Sequence, residues 1–221
     1  MKITRNSWLW IVLGMALFLV AESAGQAQTE PRSPQPSGIF GSNADGKYRN
    51  SSLGFELTVP TNWVSLSQDE QDKAKGLGAD GLKAQDGGTA KEIDLAVGAE
   101  TVVLAYAKKP LGALGNSVWA VGVGKQPSSR ITPSMVVEAA KSLFLKAPEN
   151  KLIKDVEVEK IDGKEFASMV IDLYIHGQTV RLRYYATMIR EFSVTVNMTA
   201  SDADSLKEAE TALRSFKITQ K

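Results

Sequence analysis

Residues 155–200 read DVEVEKIDGKEFASMVIDLYIHGQTVRLRYYATMIREFSVTVNMTA, and their alternation of apolar and polar residues is what decides the fold. Asp162-Gly163 suits a two-residue type I′ turn, which needs positive φ at both central positions. Folding about it sets Val158 opposite Ala167 and Val156 opposite Met169. A second two-residue turn at His176-Gly177 sets Leu173 opposite Val180, Ile171 opposite Leu182 and Met169 opposite Tyr184. A third, around Ile189 to Glu191, sets Ala186 opposite Val194, Tyr184 opposite Val196 and Leu182 opposite Met198. All three hairpins then place their apolar residues on one face, and a one-residue slip would reverse that. The stretch predicts a four-stranded antiparallel meander.

The same register fills the other face with polar residues. Asp172 faces Arg181, Arg183 faces Asn197 and Tyr185 faces Thr195, with Tyr174 and Thr199 beside them. One reading is a water-facing sheet with ordinary cross-strand pairs. The other is a shallow binding surface formed by Asp172, Arg181, Arg183, Tyr185 and Asn197, with arginines for an anionic group and tyrosines for stacking.

Outward from the meander, Ser201 with Asp204 three residues on reads as the cap of a closing helix striped by Leu206, Ala209, Leu213 and Phe216. Upstream, Thr132 and Pro133 open a helix with Val136, Ala140, Leu143, Phe144 and Ala147 on one face, ended by Pro148. Residues 101–109 and 117–125 read as strands. SQDEQDKAKG from Ser67 reads as a short helix with Glu70 in capping-box position, followed by a glycine-rich loop from Gly76 to Gly88. The class is α+β: a central antiparallel sheet with flanking helices.

The first 27 residues are read apart from the fold. Lys2 and Arg5 precede an uncharged run of 14 residues, Trp8 to Ala21, and small residues follow with a cleavage site near Ala27. That is the layout of a secretory signal peptide, with a run shorter than the ~18 residues of a spanning helix. An uncleaved signal would be the chain's one membrane contact. Residues 28–46, with three prolines, read as a tether, and residues 47–221 as a single domain large enough to bury an ordinary core. There is no cysteine, which excludes disulfides, thiol chemistry and a lipoprotein anchor. The chain has 26 basic and 25 acidic residues, and removing the signal leaves 24 of each. Such a balance lacks the basic footprint of nucleic-acid binding.

Motifs for chemistry are few. GLGADG at 76–81 matches a dinucleotide fingerprint in letters, but no buried strand precedes it. His176, the single histidine, sits at an expected turn and cannot by itself supply a zinc site or a triad. Asp155, Glu157 and Glu159 project from one side of a strand, as on a solvated, charged edge. No catalytic residue, metal site or cofactor is expected.

Tyr48 to Val64, YRNSSLGFELTVPTNWV, supplies the remaining clue. Phe55, Leu57 and Val59 alternate inward, Pro60 ends the ladder, and Trp63 folds back over the sheet edge with its indole N–H left for a partner. An aromatic at Tyr48, Gly54-Phe55, and Pro60 followed by Trp63 resemble the start of the PsbP-like domain family. The ending ETALRSFKI (210–218) is similar to that family's terminal helix and short strand, so the resemblance spans residues 46–220. It implies an α–β–α arrangement and a non-enzymatic accessory or binding role. It carries over neither the photosynthetic function nor a metal site, because no matching histidine motif is present. The resulting expectation is an exported, monomeric binding module for a protein or small-molecule ligand of the cell envelope. The alternatives are an extracytoplasmic hydrolase and a membrane-anchored structural protein.

Overall fold

The computed structural model describes residues 40–85, 99–111, 113, 115–175 and 177–219. The signal segment, most of the tether and His176 lie outside the described residues. Two antiparallel sheets and three helices make up the described fold, which is α+β as the patterning predicts. The small sheet has the order β1 (Ser42–Ala44), β2 (Lys47–Asn50), β3 (Phe55–Thr58) and β11 (Lys217–Ile218). The large sheet has the order β4 (Val64–Ser65), β5 (Glu100–Ala107), β6 (Val118–Lys125), β10 (Phe192–Thr199), β9 (Gln178–Ile189), β8 (Lys164–Ile175) and β7 (Lys151–Ile161). Strand β1 falls within the stretch read as tether.

Three caps agree with their chemistry or correct it. At the start of α1 (Gln68–Gln85), the Glu70 carboxylate accepts from Ser67 N–H at 2.7 Å, completing the capping box. Helix α2 (Pro133–Phe144) is capped by Thr132, whose hydroxyl accepts from Met135 N–H. The cap of α3 (Ala203–Arg214) is Asp202 rather than Ser201: its carboxylate accepts from both Ser205 N–H, at 2.7 Å, and the Ser205 hydroxyl.

Helix α1 also corrects the expected glycine loop, since Gly76, Gly78 and Gly81 are helical. Each costs about 1 kcal/mol against alanine, and tertiary contacts offset it. Ala74 is buried with Leu66 against β5 and β6, Gln71 Nε2 donates to Leu66 O, and Lys75 Nζ donates to Glu100 O at 2.5 Å. Burial holds the Lys75 ammonium below its ordinary pKa, against the pull of Glu100 and Asp72.

The large sheet is buried on both faces. On what we term the front face, α2 covers Ala167, Met169, Ile171, Leu182 and Tyr184, while Ala74 of α1 covers Val102, Ala105 and Ala120. On the back face, the small sheet and α3 pack over Trp119, Val121, Phe166, Tyr185, Val194 and Val196. Phe216 lies at the centre of that layer, stacked on Phe55 at 5.2 Å and edge-on to Phe166 at 5.1 Å. Trp63 is buried as the sequence predicts, and its indole N–H donates to Glu208, which also accepts from Lys108 Nζ at 2.6 Å.

Two of the three expected meander turns hold their register. Asp162 and Gly163 have φ of 50° and 74°, and Val158 pairs with Ala167. The Val156–Met169 pair is lost, because the β7–β8 ladder shifts register between Lys154 and Glu157. Between β8 and β9, Met169–Tyr184, Ile171–Leu182 and Leu173–Val180 all pair as read. The third turn differs by one residue. It is a two-residue turn at Arg190-Glu191 with Arg190 at φ 55°, so Ala186 faces Thr195, Tyr185 faces Val196 and Arg183 faces Met198.

Candidate functional site

That one-residue difference rearranges the expected polar face. Tyr185 points into the back-face core and is 6% exposed; burial, followed by Glu159, raises its hydroxyl pKa. Asn197 pairs with Tyr184 and Ala120, so it lies on the front face, opposite to the arginines, and is 3% exposed. Tyr185 and Asn197 therefore leave the surface that the sequence assigned to them. Asp172, Arg181 and Arg183 remain together, on the back face at the end of the sheet that the small sheet leaves open.

These three line a groove of about 400 Å³ between β8–β10 and the start of α3. Thr179 and Met198 form its floor with them, and Ser201, Asp202 and Leu206 form the opposing wall. Cross-strand geometry dictates the first contact: Arg181 and Asp172 are direct β9–β8 partners. The guanidinium meets the carboxylate bidentately, Nε to Oδ1 at 2.8 Å and a terminal nitrogen to Oδ2 at 2.9 Å. These hydrogen bonds raise the Arg181 pKa further. Arg183 reaches instead across to α3, where it bonds Glu210 at 2.6 Å. Asp202 is drawn below the usual carboxylate range by the Ser205 N–H and hydroxyl. Every resolved shift in the groove thus strengthens the ordinary charged form.

A second groove, of about 430 Å³, runs along the other side of α3 between Thr58–Thr61 and Asp204, Lys207, Glu208 and Thr211. The acids of β7 are spoken for by neighbouring cations: Asp155 pairs with Lys141, Glu157 with Lys154 and Glu159 with Arg214. Among the described residues, no group of three or more acidic or histidine side chains is placed to hold a metal ion. No described helix is long and apolar enough to cross a membrane.

With this geometry in view, the chain can be set beside known proteins. The chain is similar in structure to cyanobacterial PsbP. The solution structure of that protein from Synechocystis sp. PCC 6803 matches at a TM-score of 0.48 and 16% identity, over 85% of this chain and 98% of that one. LpqN of Mycobacterium tuberculosis, described as involved in cell envelope biogenesis, matches at 0.47 and 12%, over 75% and 83%. A protein from Bacteroides thetaiotaomicron matches at 0.45 and 11%, over 80% of this chain and 49% of that one. No protein-family model matches the chain, and no curated protein matches it. The likenesses concern architecture and assign no ligand or activity.

The arginine pair was legible because its strand register is set by the second turn. The front-face polar residues of β10 were missed as a buried group. The signal that could have found them was the position of β10 at the centre of the sheet, which alternation alone does not reveal.

Proposed function

We propose that the chain is an exported, non-enzymatic binding or accessory module of the cell envelope, and that it engages an acidic protein segment through the groove at Asp172, Arg181 and Arg183. The observation that carries this reading is the convergence of two half-exposed arginines in one open groove. The single-contact Arg183–Glu210 pair, partly exposed on both sides, holds its partner weakly, roughly 0–1 kcal/mol, whereas the bidentate Arg181–Asp172 pair is the firmer of the two. An incoming carboxylate can therefore replace Glu210 on Arg183 with little loss, beside an Arg181 held in place by Asp172. Arginine suits the exchange because its planar fork binds a carboxylate through two bonds.

The non-enzymatic part rests on the electrostatics. A general acid or base works best with a pKa near the operating pH, whereas the shifts at Arg181 and Asp202 move away from neutrality. Export rests on the leader at residues 1–27, and N-terminal sequencing of the mature protein tests its cleavage.

The binding surface is tested by co-purification from the native envelope, comparing wild type with the Arg181→Ala/Arg183→Ala pair. The double variant keeps the wild-type melting temperature, since both side chains are partly solvated, and loses one or more partners. Identical partner lists would remove the groove from consideration.

A further inference from the structure

On the back face of the β8–β9 hairpin, three successive cross-strand rungs lead outward from α3 to the turn. They are Val170–Arg183, Asp172–Arg181 and, nearest the turn, Tyr174–Thr179. The first two rungs bring Arg183, Arg181 and Asp172 to the groove, and Thr179 of the third lines it as well. Tyr174, the cross-strand partner of Thr179, therefore adjoins the groove at its outer end.

Tyr174 is the one exposed aromatic side chain among the described residues, at 39%. A lone exposed ring is ordinary in itself, but this one sits on a fixed backbone. The Tyr174 N–H donates to Asn150 Oδ1 at 2.8 Å, and the buried Asn150 carboxamide donates in turn to Phe144 O at 2.8 Å. The turn beside it brings Gly177, at φ 80°, which has no side chain to lay over the ring; a Cβ there would lie 3.9 Å from the Tyr174 hydroxyl. An aromatic surface held this way is ordered before a partner arrives, which lowers the cost of binding.

The rungs differ in charge. Arg183 reaches Glu210 through a single exposed contact. Arg181 is tied bidentately to Asp172, which has Lys151 as its β7 partner on the other side, so the middle rung holds its own anion. Asp202 on the opposing wall is compensated by the Ser205 N–H and hydroxyl. The Tyr174–Thr179 rung carries no charge. Same-face positions repeat about every 7 Å along a strand, which sets the first and third rungs about 13 Å apart. An extended peptide lying along the hairpin has the same repeat. When one of its carboxylates meets Arg183, the residue two positions on covers the self-paired middle rung, and the residue four positions on reaches Tyr174.

We propose that the arginine groove continues over the Tyr174–Thr179 rung, and that its partner is an extended segment with an acidic and an aromatic residue four positions apart. The proposal rests on the binding role given to the groove above, and it adds a second anchor that selects among acidic segments. Arg183 alone accepts any carboxylate, whereas an aromatic side chain on Tyr174 is rewarded only at the matching spacing.

The test is a titration of the ¹⁵N-labelled full chain, read at the backbone amides of Thr179 and Arg181, which every variant retains. The probe is acetyl-EGSGFGSGE-amide, whose acids stand four residues to either side of the phenylalanine, so that either chain direction fits. One control replaces its phenylalanine by alanine, and another replaces both glutamates by glutamine. The phenylalanine peptide is expected to bind about fivefold or more tightly than the alanine peptide, and about tenfold or more tightly than the glutamine peptide. Tyr174→Ala removes the first difference and Tyr174→Phe keeps it; both variants fold, because the ring is exposed. Equal binding of the phenylalanine and alanine peptides overturns the second anchor, as does a preference for phenylalanine that survives in Tyr174→Ala. In either case discrimination against glutamine leaves the arginine groove standing. Loss of that discrimination, or no saturable shift up to about 5 mM of the phenylalanine peptide, overturns groove and anchor together.

Discussion

Replacing Phe216 by alanine tests the account of the back-face core most directly. The ring is fully buried and touches aromatic partners in both sheets, Phe55 stacked at 5.2 Å and Phe166 edge-on at 5.1 Å. Deleting a buried phenylalanine side chain costs about 3–5 kcal/mol, with cavity formation included. A domain of this size has a total stability of about 5–15 kcal/mol, so Phe216→Ala stays folded with a much reduced margin. With a urea dependence of about 2 kcal/mol per molar, the midpoint falls by about 2 M. Phe216→Leu retains most of the apolar volume and loses both ring pairs, each about 0.5–1.5 kcal/mol; its midpoint falls by about half as much. A double-mutant cycle between Phe55→Leu and Phe216→Leu isolates the stacked pair. A cost below about 1 kcal/mol for Phe216→Ala, or additivity of the leucine pair within about 0.3 kcal/mol, would refute the placement of this ring as the joint between the sheets.

Glu208 supplies a pH dependence. Lys108, and then the Trp63 indole, hold its carboxyl below the usual glutamate pKa. The folded state therefore binds fewer protons than the unfolded chain in the acidic window beneath that value. Its contribution is complete above about pH 5 and is lost as pH falls through the depressed folded pKa. Melting temperatures of wild type and Glu208→Gln, measured from about pH 7 to pH 3, check this: the variant has the shallower acid slope, and parallel curves would count against the contact. At the first meander turn, Gly163 sits at φ 74° with open space where a Cβ would go. Gly163→Ala therefore meets only the left-handed backbone cost of about 1–2 kcal/mol, read as a lowered guanidinium midpoint; an unchanged midpoint would remove the type I′ turn.

Legibility followed the turns. Asp162-Gly163 announces itself, because few dipeptides accept positive φ twice, and Gly177 does the same for the next hairpin. With those fixed, Asp172–Arg181 and Met169–Tyr184 follow by counting. The Arg190-Glu191 turn carries no glycine or asparagine, yet Arg190 adopts φ 55°. Nothing in its chemistry marks the bend, so counting along the sequence places the β9–β10 register one residue off. Alternation does not betray the shift, because β10 has an apolar row and a polar row, and a polar row reads as solvent-facing. Its second neighbour, β6, and the helices over its front face come from distant parts of the chain, so burial of Ser193, Thr195 and Asn197 is a tertiary fact. The glycines of α1 mislead for a related reason: their low helix propensity is local, and the contacts of Gln71, Ala74 and Lys75 that outweigh it are not. Capping by Thr132 and by Ser67 with Glu70 was readable because a cap is satisfied within three residues.

The pairing of β3 with β11 has a bearing on biogenesis. Phe55 and Glu56 are made long before their strand partners Ile218 and Lys217, which lie on the far side of the large sheet in sequence. Until then β3 has a bare edge, and Phe55 has no Phe216 to lie against. The nascent chain can form its meander and still lack the strand that closes its first hairpin. A chain that stops before Phe216 thus has an open strand edge at β3 and an uncovered aromatic surface at Phe55. Those are features that chaperones and proteases recognise, so this topology makes the presence of β11 readable from the state of β3.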